Sequence, residues 1–406
     1  MAISDSSTKL RFTIAAIILA GGLATLGSVS TTWLAVTLTV YALPLLCQFI
    51  PVRWLNLTGL WWGLFLAAQT LISPWVPGLN YLTLPENFSR VIDVRDGIPG
   101  ISGIQSITTD ARGFRTRGVV NYDDAEPFRI FAIGASTTEE IFLDDKRTWT
   151  SQLQGNLNAT RQDDIEVINT GLSGLRSGNH LATLKKILHL NPDAAIFLLG
   201  ANDWNHQIRR DNASLMQRLI SNHTEAFWLS NTMLGKMLRI YKLQSGSANE
   251  GHAQQTNIID GQGQRHMINR GALQKRDQRT YEVSGINNTY IKNLNAIGEV
   301  CRNNNIDCVF VTQPNGYSSE ASSAYINSFW MTPPDENYTL DLASLEKVAK
   351  LYNSHLVSFG QQNGHIVCDL AAEFEPSFDN FYDDFHFNES GSTLVAARLA
   401  ACLTAL

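Results

Sequence analysis

The sequence predicts an α/β domain of three layers, in which about five parallel strands are covered by helices on both faces. Five apolar runs predict the strands, and helical patterns alternate with them along the chain. Continuous apolar strands separated by helices are typical of a parallel sheet that is buried on both faces. In chain order the strand runs are FRIFAIG (128–134), IEVINTG (165–171), AAIFLLG (194–200), CVFVTQ (308–313) and HIVCDL (365–370).

Helical patterns fill the segments between these runs, as expected for a three-layer α/β domain. A polar stretch at about 207–282, rich in Gln, Asn, Arg and Gly, interrupts the alternation. We interpret this stretch as an insertion over or beside the strand ends. The predicted helices are TWTSQLQGNLNA, SGNHLATLKKILHL, a segment near 283–303, DLASLEKVAKLYNSHLVSFGQ and a last helix from about 389.

The first 75 residues are apolar and carry almost no charge. No Lys, Arg, Asp, Glu or His occurs from Phe12 to Val52, and after Arg53 the next charged residue is Glu86. A bilayer core of ~30 Å requires about 20 helical residues. We therefore predict three transmembrane helices. Their approximate positions are 12–29, 32–50 and 54–73. Two spans, a cleaved signal sequence and a buried helical hairpin are the alternatives.

Positive charges near the apolar runs predict the orientation of this anchor. Lys9, Arg11 and Arg53 would all lie on the cytoplasmic side of three spans, where positive residues are retained. Everything after residue 75 would then be extracytoplasmic, in the periplasm or at the cell surface. Residues 76–127 contain turn formers and charges and are interpreted as a membrane-proximal connector that packs against the domain at 128–406.

Composition excludes two functional classes. The net charge of −6 and the pI of about 5.9 provide no basic field for nucleic acid. There are no pairs of Cys and His at zinc spacing, and no metal or organic cofactor is implied. Cys301 and Cys308 flank a short loop, and Cys368 and Cys402 form a second possible pair. Disulfides would suit an exported domain, and buried thiols are the alternative.

Polar and small residues follow several of the predicted strands, where the sites of open α/β sheets lie. Ser136, Gly174 and Asn202 follow the first three strands, and Asp383 and His386 precede the last helix. Ser136 requires a base to act as a nucleophile, and His386 is the candidate base. Asp383 can accept from its Nδ1. The backbone N–H groups of Ser136 and Gly174 and the amide of Asn202 are candidate oxyanion donors. This set predicts acyl-transfer chemistry.

Four sequence blocks resemble those of the SGNH, or GDSL-like, hydrolase family and occur in the same order. They are GAS around Ser136, NTGLSG ending at Gly174, GAND at 200–203 and DDFH at 383–386. The resemblance covers about residues 128–406 and implies a flavodoxin-like domain in which Ser136, His386 and Asp383 form the triad. It also implies that Gly174 and Asn202 are oxyanion donors. Ala135 replaces the usual aspartate of the family, so substrates of GDSL lipases are a weaker guide here.

Several further polar residues lie near these blocks. Gln313 and Asp203 are possible site-lining residues, and Asp203 is expected chiefly to bind loop backbone. Glu139 and Glu140 are expected to face solvent or to cap the following helix. Asp384 is the rival of Asp383 as the group that orients the histidine.

Together these features predict a membrane-anchored serine ester hydrolase that acts outside the cytoplasm. O-acetyl esters of envelope carbohydrate and lipid esters are the two candidate substrates, and the bilayer is the expected partner of the N-terminal helices. One alternative is an O-acyltransferase that moves an acetyl group onto exported polysaccharide. Another is a non-catalytic envelope assembly or carbohydrate-binding protein.

Overall fold

A computed structural model describes residues 81–94, 98–161, 164–212, 256–258, 275–329 and 338–405. All of these residues belong to a single compact unit. The predicted spans at 12–29, 32–50 and 54–73 lie outside the described residues, as does most of the predicted insertion. Within the described part of the chain, no helix has the length and apolar character needed to cross a membrane.

The described residues form ten strands and eight α-helices. The strands are β1 (Ser89–Val94), β2 (Gly103–Thr108), β3 (Phe128–Gly134), β4 (Ile165–Asn169), β5 (Ala194–Leu198), β6 (Thr256–Ile258), β7 (Asp277–Arg279), β8 (Asp307–Val311), β9 (Tyr338–Leu340) and β10 (Ile366–Cys368). The helices are α1 (Ser136–Glu139), α2 (Trp149–Thr160), α3 (Ser177–Ile187), α4 (Ala201–Asn212), α5 (Asn288–Asn303), α6 (Ser323–Ile326), α7 (Leu342–Gln362) and α8 (Glu389–Cys402).

The central sheet confirms the predicted five parallel strands. Its strand order is β10-β8-β5-β3-β4, and every neighbouring pair is parallel. In the centre of the sheet, Ile130 of β3 lies opposite Val167 on one side and Ala194 on the other. The strands β4, β5 and β8 each end two residues before the apolar run does, because small and polar residues there turn into the loops that follow.

The connections determine which face each helix covers. The chain moves from β3 to β4 in one direction and from β4 through β5 and β8 to β10 in the other. Right-handed crossovers therefore place α2 on one face and α3, α5 and α7 on the opposite face. In agreement, α2 packs against α8, α3 packs against α5, and Tyr290 of α5 meets Tyr352 of α7 at 4.9 Å. Successive strands are added in one direction from β3 to β4 and in the other direction from β5 onward. The carboxyl ends of β3 and β5, where this order switches, are the expected position of the site.

Aromatic side chains fill the core between the sheet and its helices. Phe131, Phe197 and Phe310 lie on neighbouring strands and are fully buried, and the rings of Phe197 and Phe310 stack at 5.4 Å. Trp149, the first residue of α2, is also fully buried. Each such side chain contributes about 1.5–3 kcal/mol through burial. The strands are apolar on both faces because helices cover both.

Two disulfides connect helices to the sheet. Cys301 of α5 is bonded to Cys308 of β8, with Cα atoms 6.1 Å apart. Cys368 of β10 is bonded to Cys402 of α8, with Cα atoms 6.0 Å apart. The sequence left disulfides and thiols open for both pairs, and the structure has disulfides.

The segment before the central sheet packs onto the domain through a small sheet of its own. Strand β1 pairs antiparallel with β2 and parallel with β6. Ile92 and Ile107 of this sheet share a hydrophobic cluster with Phe142, Leu143 and Tyr382. Because Tyr382 directly precedes the Asp-x-x-His block, this sheet reaches the surroundings of the candidate site.

The boundary predicted for the insertion needs a correction. Residue 207 falls inside α4, which continues to Asn212. The helix was not recognised to its full length because most of its residues are polar, although Trp204 and Ile208 are buried against the core.

Candidate active site

The candidate nucleophile lies where β3 passes directly into α1. Gly134 ends the strand and Ser136 begins the helix. No side chain fits at Gly134, because a Cβ atom there would lie 2.0 Å from Oγ1 of Thr138. This close approach lets the chain turn from strand to helix within two residues. The turn leaves Ser136 at the carboxyl edge of the central strand.

Ser136, His386 and Asp383 form a continuous hydrogen-bonded relay. Nε2 of His386 lies 2.8 Å from Oγ of Ser136, and Nδ1 lies 2.7 Å from Oδ2 of Asp383. The other carboxylate oxygen of Asp383 accepts the backbone N–H groups of Phe385 and His386, each at 2.7 Å. A carboxylate on Nδ1 fixes the ring so that Nε2 can accept the serine proton.

The surroundings of His386 favour its protonated form. Burial of the ring opposes protonation, but the charge and hydrogen bond of Asp383 and the charges of Asp384 and Glu139 outweigh burial. The pKa of His386 is therefore raised above its ordinary value. Tyr382 stacks on the imidazole with centroids 5.3 Å apart and an interplanar angle of 9°. The ring is thus held on its edge by a carboxylate and on its face by an aromatic ring.

The two neighbouring aspartates of the DDFH block have different partners. Asp383 holds the histidine ring, whereas Oδ2 of Asp384 accepts the hydroxyl of Tyr317 at 3.0 Å. The backbone carbonyl of Asp384 also accepts the N–H of Gly316 at 2.8 Å. Both carboxylates are fully buried. Of these two candidates, the geometry favours Asp383 as the orienting group.

Gly174 and Asn202 lie on the loops that follow β4 and β5. Gly174 has a φ of +79°, a left-handed conformation that favours glycine, and a Cβ atom there would meet nothing within 4 Å. Asn202 lines a pocket with Ser136, and its amide donates to the carbonyl of Leu175 at 2.9 Å. This bond connects the start of α4 to the loop that contains Gly174. Gly171 has a packing role, because a Cβ atom there would lie 2.4 Å from the backbone nitrogen of Glu139.

The pocket beside Ser136 is small, with a cavity volume of about 10 Å³. That is room for the centre of about one water-sized sphere. Most of its wall is apolar, and a few polar side chains face it. Its lining residues are Ala135, Ser136, Thr137, Leu175, His180, Leu198, Leu199, Gly200, Ala201, Asn202, Gln313 and Phe385.

Gln313 and Asp203, the two possible lining residues, have separate positions. Gln313 lines the pocket, where its Oε1 accepts the hydroxyl of Thr137 at 3.1 Å. Asp203 accepts the backbone N–H of Ser177 at 3.0 Å and its hydroxyl at 2.6 Å. Burial raises the pKa of Asp203 to about 6. Asp203 thus holds the first turn of α3 and does not line the pocket.

The expectation that Glu139 and Glu140 face solvent is wrong. Their exposed fractions are 3% and 5%. Oε2 of Glu139 accepts the backbone N–H of Ser173 at 2.6 Å and also the hydroxyl of Ser173. Oε2 of Glu140 accepts the N–H of Trp149 at 2.7 Å, so the capping alternative fits this residue. Helix α1 is only four residues long and Glu140 has a φ of 50°, which folds both side chains back into the protein.

Two residues near the site were missed from the sequence. His180 of α3 lines the pocket, and burial lowers the pKa of its ring to about 3, so the ring is neutral at physiological pH. Arg115 donates to the carbonyl oxygens of Glu139 and Glu140 at the end of α1, and it pairs with Asp145 at 2.8 Å. Neither residue belongs to a sequence block, and no local pattern distinguishes them from other helical or connector residues.

Comparison with known proteins gives a family match over most of the α/β domain. Residues 132–394 match the GDSL-like lipase/acylhydrolase family. No curated protein matches the sequence.

Solved structures that resemble this one cover about two thirds of the chain. A lipolytic protein of the G-D-S-L family from Desulfitobacterium hafniense is 11% identical, with 68% of this chain and 99% of that chain covered and a TM-score of 0.37. The psychrotrophic esterase EstA from Pseudoalteromonas is 14% identical, with 68% and 97% covered and a TM-score of 0.37. A G-D-S-L family protein from Veillonella parvula is 14% identical, with 68% and 99% covered and a TM-score of 0.37.

Proposed function

The chain belongs to the GDSL-like lipase/acylhydrolase family and is a carboxylic ester hydrolase, and we propose that it removes O-acetyl groups from envelope carbohydrate outside the cytoplasm. The observation that carries the proposal is the relay of Ser136, His386 and Asp383 beside a small pocket. In this proposal Ser136 is the nucleophile, His386 the general base and Asp383 the orienting carboxylate.

The first half of the reaction forms an acetyl-enzyme. Ser136 Oγ attacks the ester carbonyl while His386 Nε2 takes its proton, and Asp383 stabilises the imidazolium that results. The 2.8 Å contact between Oγ and Nε2 supports this transfer without rearrangement. His386 then gives the proton to the sugar oxygen as the carbon–oxygen bond breaks. In the second half, water attacks the acetyl-enzyme while His386 takes its proton, and His386 returns that proton to Ser136 Oγ as the bond to the acetyl carbon breaks and acetate leaves.

The negative oxygen of each tetrahedral intermediate requires preorganised donors. The backbone N–H groups of Ser136 and Gly174 and the side-chain amide of Asn202 fill this role in our proposal. Asn202 lines the pocket beside Ser136, and one of its amide hydrogens already binds the carbonyl of Leu175, so the amide has a fixed orientation. Each such donor contributes about 2.7–4 kcal/mol to stabilisation of the transition state.

The dimensions of the pocket support acetyl over longer acyl groups. Leu175, Leu198 and Phe385 contribute apolar surface close to Ser136, and the cavity among the described residues is small, at about 10 Å³. A lipid ester would require a channel for its chain. The acetyl proposal therefore fits the described pocket better than the lipid alternative.

Two features support a location outside the cytoplasm. The uncharged runs before residue 75 have the length of membrane spans, and Lys9, Arg11 and Arg53 would be retained in the cytoplasm. The two disulfides suit an oxidising compartment, since cytosolic thiols are usually kept reduced. We propose that the N-terminal helices anchor the protein and that the domain at 128–406 acts at the outer face.

Hydrolysis of p-nitrophenyl acetate by the full-length protein in detergent tests the reaction. We expect activity that Ser136→Ala abolishes and that declines from acetate to butyrate to octanoate esters. Faster cleavage of octanoate would contradict the acetyl proposal and favour lipid esters. Absence of Ser136-dependent release would leave the non-catalytic envelope protein as the alternative.

Acetylated polysaccharide separates hydrolysis from transfer. We expect free acetate as the product. If the acetyl groups appear instead on hydroxyls of an added polysaccharide, the protein is an acyltransferase. Reporter fusions after residues 31, 53 and 90 test the topology, and a cytoplasmic signal after residue 90 would refute the proposed location.

A further inference from the structure

A buried carboxylate on the nucleophile's own helix holds the loop that follows β4. Glu139 ends helix α1, three residues after Ser136, and its side chain is almost completely buried. Its Oε2 accepts both the backbone N–H of Ser173, at 2.6 Å, and the hydroxyl of Ser173. Both bonds end on one buried oxygen, so the position of Ser173 is tied to the helix of the nucleophile.

The loop held in this way contains the candidate oxyanion donor. We call residues 171–174 the oxyanion loop. Gly171 at its start lies directly against α1, since a Cβ atom there would meet the backbone of Thr138 and Glu139. Gly174 at its end follows Ser173, the residue that Glu139 binds. Glu139 thus contacts the loop one residue before the N–H group that the reaction requires.

We propose that Glu139 is a positioning residue, which fixes the oxyanion loop relative to Ser136. This inference rests on the proposed ester hydrolysis for its catalytic consequence. The contact itself joins the nucleophile and the oxyanion donor through one side chain. A displacement of the loop by about 1 Å would cost about 100-fold in rate.

Three carboxylates and one guanidinium determine the charge around this contact. Asp383, Asp384 and Glu139 all favour protonation of His386. Burial raises the pKa of Glu139, and the hydrogen bonds from Ser173 and the charges of Arg115 and His386 lower it by less. Where Glu139 is ionised, its charge raises the pKa of His386, so removal of that charge lowers this pKa. The acidic limb of kcat/KM, which requires neutral His386, then moves to lower pH.

The neighbouring Glu140 provides a matched control. It is also buried at the end of α1, but its carboxylate binds the N–H of Trp149 and the hydroxyl of Ser392 and makes no contact with Ser173 in the structure. A substitution at Glu140 therefore measures the effect of changing a buried acid that does not contact the oxyanion loop.

The experiment measures the pH profile of kcat/KM and the separate kcat and KM values in the full-length protein. The variants are Glu139→Gln, Glu139→Ala, Ser173→Ala and the control Glu140→Gln. We expect Glu139→Ala to lower kcat by about 100-fold with little change in KM. Glu139→Gln keeps an acceptor for Ser173, so its loss is smaller, but its acidic limb moves to lower pH. Ser173→Ala removes the hydroxyl bond to Glu139 and lowers kcat.

Two results would overturn the proposal. One is that both Glu139 variants have the same acidic limb of kcat/KM and the same kcat as the wild type. The other is that Glu140→Gln shifts the acidic limb as much as Glu139→Gln does, because the effect would then not depend on the contact with the oxyanion loop.

Amide hydrogen exchange distinguishes this proposal from the proposed function. Glu139→Ala should speed exchange in peptides that cover residues 170–175, and Glu140→Gln should not. This measurement requires no activity. Unchanged exchange in Glu139→Ala would refute the positioning role, whereas a lack of Ser136-dependent hydrolysis would refute the function and leave the exchange result valid.

Discussion

The two sides of the candidate site are built in different ways. On the base side, Asp383 contacts Phe385 and His386, which lie two and three residues further along the chain. On the oxyanion side, Glu139 contacts Ser173 across 34 residues of sequence, and Asn202 binds Leu175 across 27 residues. The base side is a local motif, while the oxyanion side depends on how three strand ends come together. Substitutions on the base side and on the oxyanion side should therefore have different effects.

The largest effect is expected on the base side. Asp383→Asn replaces the acceptor on Nδ1 and favours the wrong tautomer of His386, so we expect kcat to fall by about 10⁴-fold. Asp384→Asn is the matched control, since that carboxylate binds Tyr317. Steady-state kinetics with p-nitrophenyl acetate would measure both variants. A larger loss in Asp384→Asn would reverse the assignment of the two carboxylates.

The next effect concerns a donor on the oxyanion side. Asn202→Ala removes the candidate side-chain donor, and we expect a fall of about 10²–10³-fold in kcat with little change in KM. Gln207→Ala on the same helix is the control, because Gln207 donates to Gly285 and lies away from the pocket. If Asn202→Ala raises KM at constant kcat, the amide binds substrate and is not an oxyanion donor.

The disulfides should stabilise the fold to different degrees. Cys368–Cys402 closes a loop of 34 residues and holds α8, the helix after His386, against β10. Its removal by the double alanine variant should lower the free energy of unfolding by about 4 kcal/mol in the chain-entropy account. Cys301–Cys308 spans 7 residues, and its removal should cost about 2.5 kcal/mol. Urea unfolding measures both, and an equal cost would contradict the entropic explanation.

The last expected effect is a pH dependence of stability that arises at Glu140, the residue after helix α1. Burial raises the pKa of Glu140 from 4.5 to about 8. Because the folded pKa is the higher one, the stabilising contribution of the protonated group is complete below pH 4.5 and is lost as the pH rises towards about 8. Glu140→Gln should therefore lose less stability over this range than the wild type. If the melting temperatures of the two proteins change equally with pH across this range, this role of Glu140 is excluded.

The sequence predicted the central sheet and the base side because both are encoded locally. Five apolar runs could only be buried strands, and all five were found. The spacing of Asp383 and His386 predicted their contact because three residues of a tight turn bring the side chains together. The burial of Glu139 and Glu140 was not predicted, since a pair of acids after a nucleophile is more often exposed. No sequence pattern indicates that their hydrogen-bond partners are Ser173 and Trp149.

By itself the sequence determined the α/β alternation, the order of the blocks and the residues of the relay, because hydrophobic periodicity and short-range geometry follow directly from residue type. Only the tertiary structure decided which residues line the pocket beside Ser136 and that Glu139 lies against the oxyanion loop. These features depend on distances between residues far apart in the chain. Such distances are set by the packing of the whole sheet and its helices, which no local pattern encodes.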